Sequence, residues 1–116
     1  MNLDPHVLLV TVAAQPSRAA MLLTQGGYLV TKTTAEHASD ATSACVPEAV
    51  VVDLPAFDEV NVMRVLDHMK PRPPVLVLTN LPRLYPKKRG DRYALCRAEV
   101  ESDLICAVDR MLADAA

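Results

Sequence analysis

The sequence predicts an α/β domain, a three-layer α/β/α sandwich around a five-stranded parallel sheet in the order 2-1-3-4-5. Two observations predict it. "HVLLVT" (6–11), "AVVVD" (49–53) and "PVLVLT" (74–79) are short continuous apolar runs, each closed by a polar residue. Runs without alternation are what strands look like when both sheet faces are covered. The segments between them have helical character, which parallel connections require.

Taken in order, 6–11 is the first strand, and "PSRAAMLLTQGG" (16–27) is a helix. Pro16 suits its first turn, Ala19, Leu22 and Leu23 share a face, and Gly26 and Gly27 stop it. "YLVTKT" (28–33) is the second strand. An alanine-rich helix over 34–48 follows, capped by Thr34 and ended before Pro47, and 49–53 is the third strand. "DEVNVMRVLDHMK" (58–70) has Asp58 as a cap and Val62, Val65, Leu66 and Met69 as an apolar stripe. After the fourth strand (74–79), "NLPRLYPKKRGDR" (80–92) holds two prolines and a glycine, so the fourth helix is expected to be shortened or irregular. "YALCR" (93–97) is the fifth strand, and "ESDLICAVDRML" (101–112) closes the fold with Leu104, Ile105, Val108, Met111 and Leu112 inward.

A chain of 116 residues, with 51% hydrophobic residues, has the length and balance of one domain over 1–116 and buries a real core. That core is aliphatic, because there is no Trp and Phe57 is the only phenylalanine. No apolar run approaches the roughly 20 residues of a membrane span, and no targeting segment is visible. A cytoplasmic protein with no membrane contact is expected. Cys45, Cys96 and Cys106 are odd in number and widely spaced, which suggests buried thiols rather than a disulfide framework or a zinc site. His6, His37 and His68 stand on separate elements with no ligand spacing around them, so no metal site is assigned.

The net charge of −2 conceals a strong asymmetry. Residues 1–82 carry −3, residues 83–97 carry +5 and residues 98–116 carry −4. Arg83, Lys87, Lys88, Arg89 and Arg92 therefore form a basic stretch ahead of an acidic helix, and they are candidate partner-binding residues. Tyr85 and Tyr93 are the only aromatics near them, and no nucleic-acid-binding motif is present. An acidic protein is the better partner and nucleic acid is not expected.

Right-handed crossovers put the carboxyl ends of parallel strands on one edge, where ligands of such folds bind. Thr11, Asp53, Thr79 and Arg97 gather there by topology alone. The question is what Asp53 does at that edge.

"VLLVT" leading into "QPSRAAMLLTQGGYLV", then "PEAVVVDLP", "PPVLVLTN" and "YALCRAEVESDLICAVDRML", resemble a two-component response-regulator receiver domain over essentially the whole chain. The resemblance implies a flavodoxin-like fold. It makes Asp53 similar to the phosphorylated aspartate, Thr79 to the switch hydroxyl and Arg97 to the invariant lysine, with Tyr93 among the switch-like positions. Receivers also carry an acidic pair after the first strand to hold Mg²⁺, and here that stretch reads Thr11, Val12, Ala13, Ala14. Hard divalent cations want carboxylate oxygens, so Mg²⁺ binding is expected to be weak or absent, and no other cofactor is expected. Proline at Pro55 and Asn61 in a position often held by glycine are further departures.

The expectation is a non-enzymatic, degenerate receiver of bacterial-type phosphorelay signalling. It acts through protein–protein contact independently of phosphorylation and is able to form a homodimer. Two alternatives stay open at this point. One is a phosphorylatable single-domain response regulator that takes phosphate on Asp53 from a histidine kinase. The other is a regulator that binds an anionic ligand or nucleic acid through 83–97.

Overall fold

A computed structural model describes residues 5–12, 17–34, 37, 47–54, 64, 73–80, 88–89 and 92–115. The strands are β1 (His6–Val10), β2 (Leu29–Thr33), β3 (Ala49–Val52), β4 (Val75–Thr79), β5 (Lys88–Arg89) and β6 (Arg92–Cys96). The helices are α1 (Arg18–Gln25) and α2 (Val100–Ala115), the latter preceded by a 3-10 turn at Arg97–Glu99. The sheet order is β2-β1-β3-β4-β6-β5. Five strands are parallel in the expected order, and β5 pairs antiparallel with β6 at the edge.

Each central strand is buried on both faces, which explains the missing alternation in its sequence. One face presents Val7, Leu9, Ala49, Val51, Leu76, Leu78 and Leu95 to Ala19 and Leu23 of α1 and to Leu104, Val108 and Met111 of α2. The other face, formed by Leu8, Val10, Val50, Val52, Leu54, Val75 and Val77, is equally buried. Complete burial of a side chain such as Leu23 contributes about 1.5–3 kcal/mol. β2 is the exception, with an exposed Leu29, Thr31 and Lys32, as suits a strand at the sheet edge.

Local chemistry sets the ends of α1. Ser17 stands before the first helical residue, and its hydroxyl accepts from the Ala20 amide. At the other end Gly27 takes φ +93°, its amide donates to Thr24 and the Tyr28 amide donates to Leu23. This left-handed stop favours glycine because an L side chain is strained there. Gly26 serves a separate need, since a Cβ at that position would lie 2.5 Å from Ile105 Cδ1 of α2.

α2 is tied down along its length. Arg18 makes a forked contact with Glu101, Nε to Oε1 at 2.7 Å and Nη2 to Oε2 at 3.2 Å. The Tyr28 hydroxyl donates to Asp109 Oδ1, and the Tyr93 hydroxyl donates to Asp114 Oδ2 at 3.1 Å.

Several expectations change. Cys106 is exposed, not buried, because it lies off the Leu104, Val108 and Met111 stripe of an amphipathic helix. Cys96 is half-buried. The fifth parallel strand ends at Cys96, one residue early, and Arg97 opens the following turn. Lys88 and Arg89 belong to a strand, not a loop. The helices expected over 34–48 and 58–70 lie outside the described residues apart from isolated positions, of which Arg64 is helical. Most of 80–92, with Arg83 and Lys87, also lies outside them, as does Cys45.

Candidate functional site

The site is built where β1, β3, β4 and β6 end. Register places Val10 beside Val52 and Val52 beside Val77, while Thr79 pairs with Cys96. Thr11, Asp53 and Arg97, which follow Val10, Val52 and Cys96, and Thr79 at the end of β4 therefore share one edge. The backbone fastens two of them, since the Asp53 amide donates to the Val10 carbonyl at 2.8 Å and the Thr11 amide to Thr33 at 2.9 Å.

Asp53 is the carboxylate at this edge, and Arg97 reaches it across the gap between β3 and the 3-10 turn. Arg97 Nη1 donates to Asp53 Oδ1, and Nη2 donates to the Leu54 carbonyl at 3.1 Å. The fork thus grips a side chain and the backbone one residue further on, a geometry that a planar guanidinium supplies and a lysine ammonium does not. The side chains of Asp53 and Arg97 are 22% and 31% exposed, so the pair is partly shielded from water.

Thr11 and Thr79 are both 7% exposed and put hydroxyls at the ends of β1 and β4. Thr79 has further interactions of its own. Val12, next to Thr11, is 42% exposed and apolar. Beyond β2, Thr34 Oγ1 is buried without a hydrogen-bond partner. Among the described residues, no three His, Cys, Asp or Glu side chains form a group able to hold a metal ion. No helix among them is long and apolar enough to cross a membrane.

The structure therefore brings Asp53, Thr79, Arg97 and Thr11 to one edge, as the topology requires. Tyr93 stands apart from them: it pairs with Leu76 further down the sheet, and its hydroxyl points to the end of α2. Lys88 and Arg89 fall on the edge strand β5, and Arg92 on its neighbour β6. Sequence reasoning missed the Leu54 carbonyl as the second acceptor of Arg97. No side-chain pattern signals it, because it depends on how the backbone turns after β3.

Beside this edge a cleft of about 340 Å³ runs between β6 and α2. Leu76, Tyr93 and Leu95 line it from the sheet, and Glu99, Asp103, Cys106 and Arg110 line it from the helix side.

In comparison with known proteins, the chain matches no family model, no curated protein and no solved structure at a significant level.

Proposed function

We propose that the chain is a receiver-like signal-transduction domain of the two-component type, working by protein–protein contact in the cytoplasm and independently of phosphorylation. In this reading the parallel sheet is the centre of a flavodoxin-like three-layer sandwich, and the C-terminal edge is a degenerate phosphorylation site.

The observation that carries the reading is the fork of Arg97 on Asp53 and the Leu54 carbonyl. Arg97 engages Oδ1 of Asp53, and a carboxylate whose charge is drawn onto an internal cation is a poorer nucleophile. The Mg²⁺ of a working receiver does not fit the residues here. Among the described residues Asp53 is the carboxylate at this edge, its charge already faces Arg97, and the first-strand positions that would add oxygen ligands are Thr11 and Val12. Phosphoryl transfer depends on the metal to neutralise developing charge, so loss of its ligands removes most of the catalysis. What remains is a fold whose surface carries the signal.

Intact mass measured after incubation with Mg²⁺ and acetyl phosphate tests this, with Asp53→Asn as control. The expected result is no adduct on either protein. A phosphoryl adduct on the wild type alone overturns the reading in favour of a phosphorylatable regulator.

A further inference from the structure

The cleft between β6 and α2 has no role in the chemistry of the Asp53 edge. Its helix wall is made of Glu99, Asp103, Cys106, Ala107 and Arg110, a spacing that lays one stripe along the helix. The floor is Leu76, Tyr93 and Leu95. The volume of about 340 Å³ sits at the small end of the roughly 300–1,000 Å³ usual for ligand sites, which suits one or two side chains rather than a cofactor.

The charges on its rim are ordered. Glu99 and Asp103 stand at the end nearest Arg97, and Arg110 stands toward the other end. Among the described residues, none of these three charges is engaged in an ion pair. Arg110 lies toward the start of β6, because α2 runs back along the sheet after the turn at Arg97–Glu99 and the Tyr93 hydroxyl meets Asp114 near its end. The cleft is therefore acidic at one end, apolar in the middle and basic at the other.

We infer that this cleft docks a segment of a partner protein carrying an apolar anchor between a cationic end and an anionic end, the cation facing Glu99 and Asp103 and the anion facing Arg110. The inference rests on the protein-contact reading above and specifies the partner's chemistry. From Asp103 or Glu99 to Arg110 the helix rises roughly 10–16 Å, a span of about three to five residues of extended chain. Charge complementarity of this kind sets register and discriminates among partners more than it adds affinity. A uniformly acidic partner, by contrast, places like charge against Glu99 and Asp103.

The test is selection of a random twelve-residue peptide library on the full chain, followed by fluorescence anisotropy with the enriched peptides. The expected peptides hold an aliphatic or aromatic residue with Lys or Arg on one side and Asp or Glu three to five residues away. Cys106→Arg, at an exposed position in the cleft wall, is expected to weaken them at least tenfold. Glu99→Lys with Asp103→Lys is expected to abolish the preference for the cationic end. Absence of enriched peptides, peptides without this charge order, or binding indifferent to both variants overturns the inference. The same titrations on chain treated with acetyl phosphate separate the two readings. Peptides that bind only the treated chain, at this cleft, leave the docking site standing and sink phosphorylation independence. Peptides that bind untreated chain without sensing the variants do the reverse.

Discussion

The tips of β1 and β3 are neighbours joined by the hydrogen bond from the Asp53 amide to Val10, yet they end in opposite chemistry. β3 runs into a carboxylate, and β1 runs into a buried threonine and a half-exposed valine. On the β3 side the charge is answered from within the chain by Arg97. On the β1 side the described residues, Thr11 and Val12, carry no charge. Placed together, the two tips give one edge two characters: a carboxylate paired within the chain on β3, and uncharged side chains on β1.

The largest effect on this contrast comes from removing the cation. Arg97→Met leaves Asp53 partly buried without its partner and frees the Leu54 carbonyl, at an expected cost of about 1–2 kcal/mol. Urea denaturation checks it as a lower midpoint with an unchanged slope. A midpoint equal to wild type breaks the contrast, because it makes the β3 tip as indifferent as the β1 tip.

A smaller effect comes from giving β1 the charge it lacks. Val12 is exposed enough that Val12→Asp is expected to cost less than about 0.5 kcal/mol without metal. The added carboxylate beside Asp53 is expected to make thermal stability respond to Mg²⁺, whereas the wild type does not respond. Equal stabilisation of both proteins by Mg²⁺ contradicts the account of the β1 tip.

The smallest effect is far from the edge. Hydrogen bonding to Arg18, followed by its charge, lowers the Glu101 carboxyl pKa, and the same contacts raise that of Arg18. A depressed carboxyl pKa contributes stability above the unfolded value and loses it as pH falls through the folded one. The difference between wild type and Glu101→Gln is therefore expected to be slight at neutral pH, to shrink as pH falls below the ordinary glutamate range, and to vanish only below the lowered folded pKa. Both groups are on the surface, so salt is expected to erase it as well. A difference that survives acid and salt assigns Glu101 a role other than this ion pair.

Much of the sheet was legible because full burial writes itself as unbroken apolar runs, as in "AVVV" and "VLVLT". The glycine pair after α1 was legible for a related reason, since the left-handed turn at Gly27 excludes other residues cheaply. β5 was not read, because Lys88 and Arg89 have no β pattern and their strand exists only through pairing with Tyr93 and Arg92. Gly90 and Asp91 between those strands are a usable hairpin signal, since a Gly-Asp step suits a two-residue connection. The exposure of Cys106 was misread from residue type when its helical phase was the better guide. At the candidate site, the gathering of Thr11, Asp53, Thr79 and Arg97 followed from strand order. The grip on the Leu54 carbonyl did not, because backbone acceptors leave no trace in the sequence.

The central claim is that Asp53 and Arg97 act as one fixed pair. A double-mutant cycle of Asp53→Asn and Arg97→Met, read by urea denaturation, tests it directly. The account predicts a coupling of about 1 kcal/mol or more, with the second change costing little once the first is made. Effects that add to within about 0.3 kcal/mol contradict it, and leave Asp53 a free carboxylate at the end of its strand.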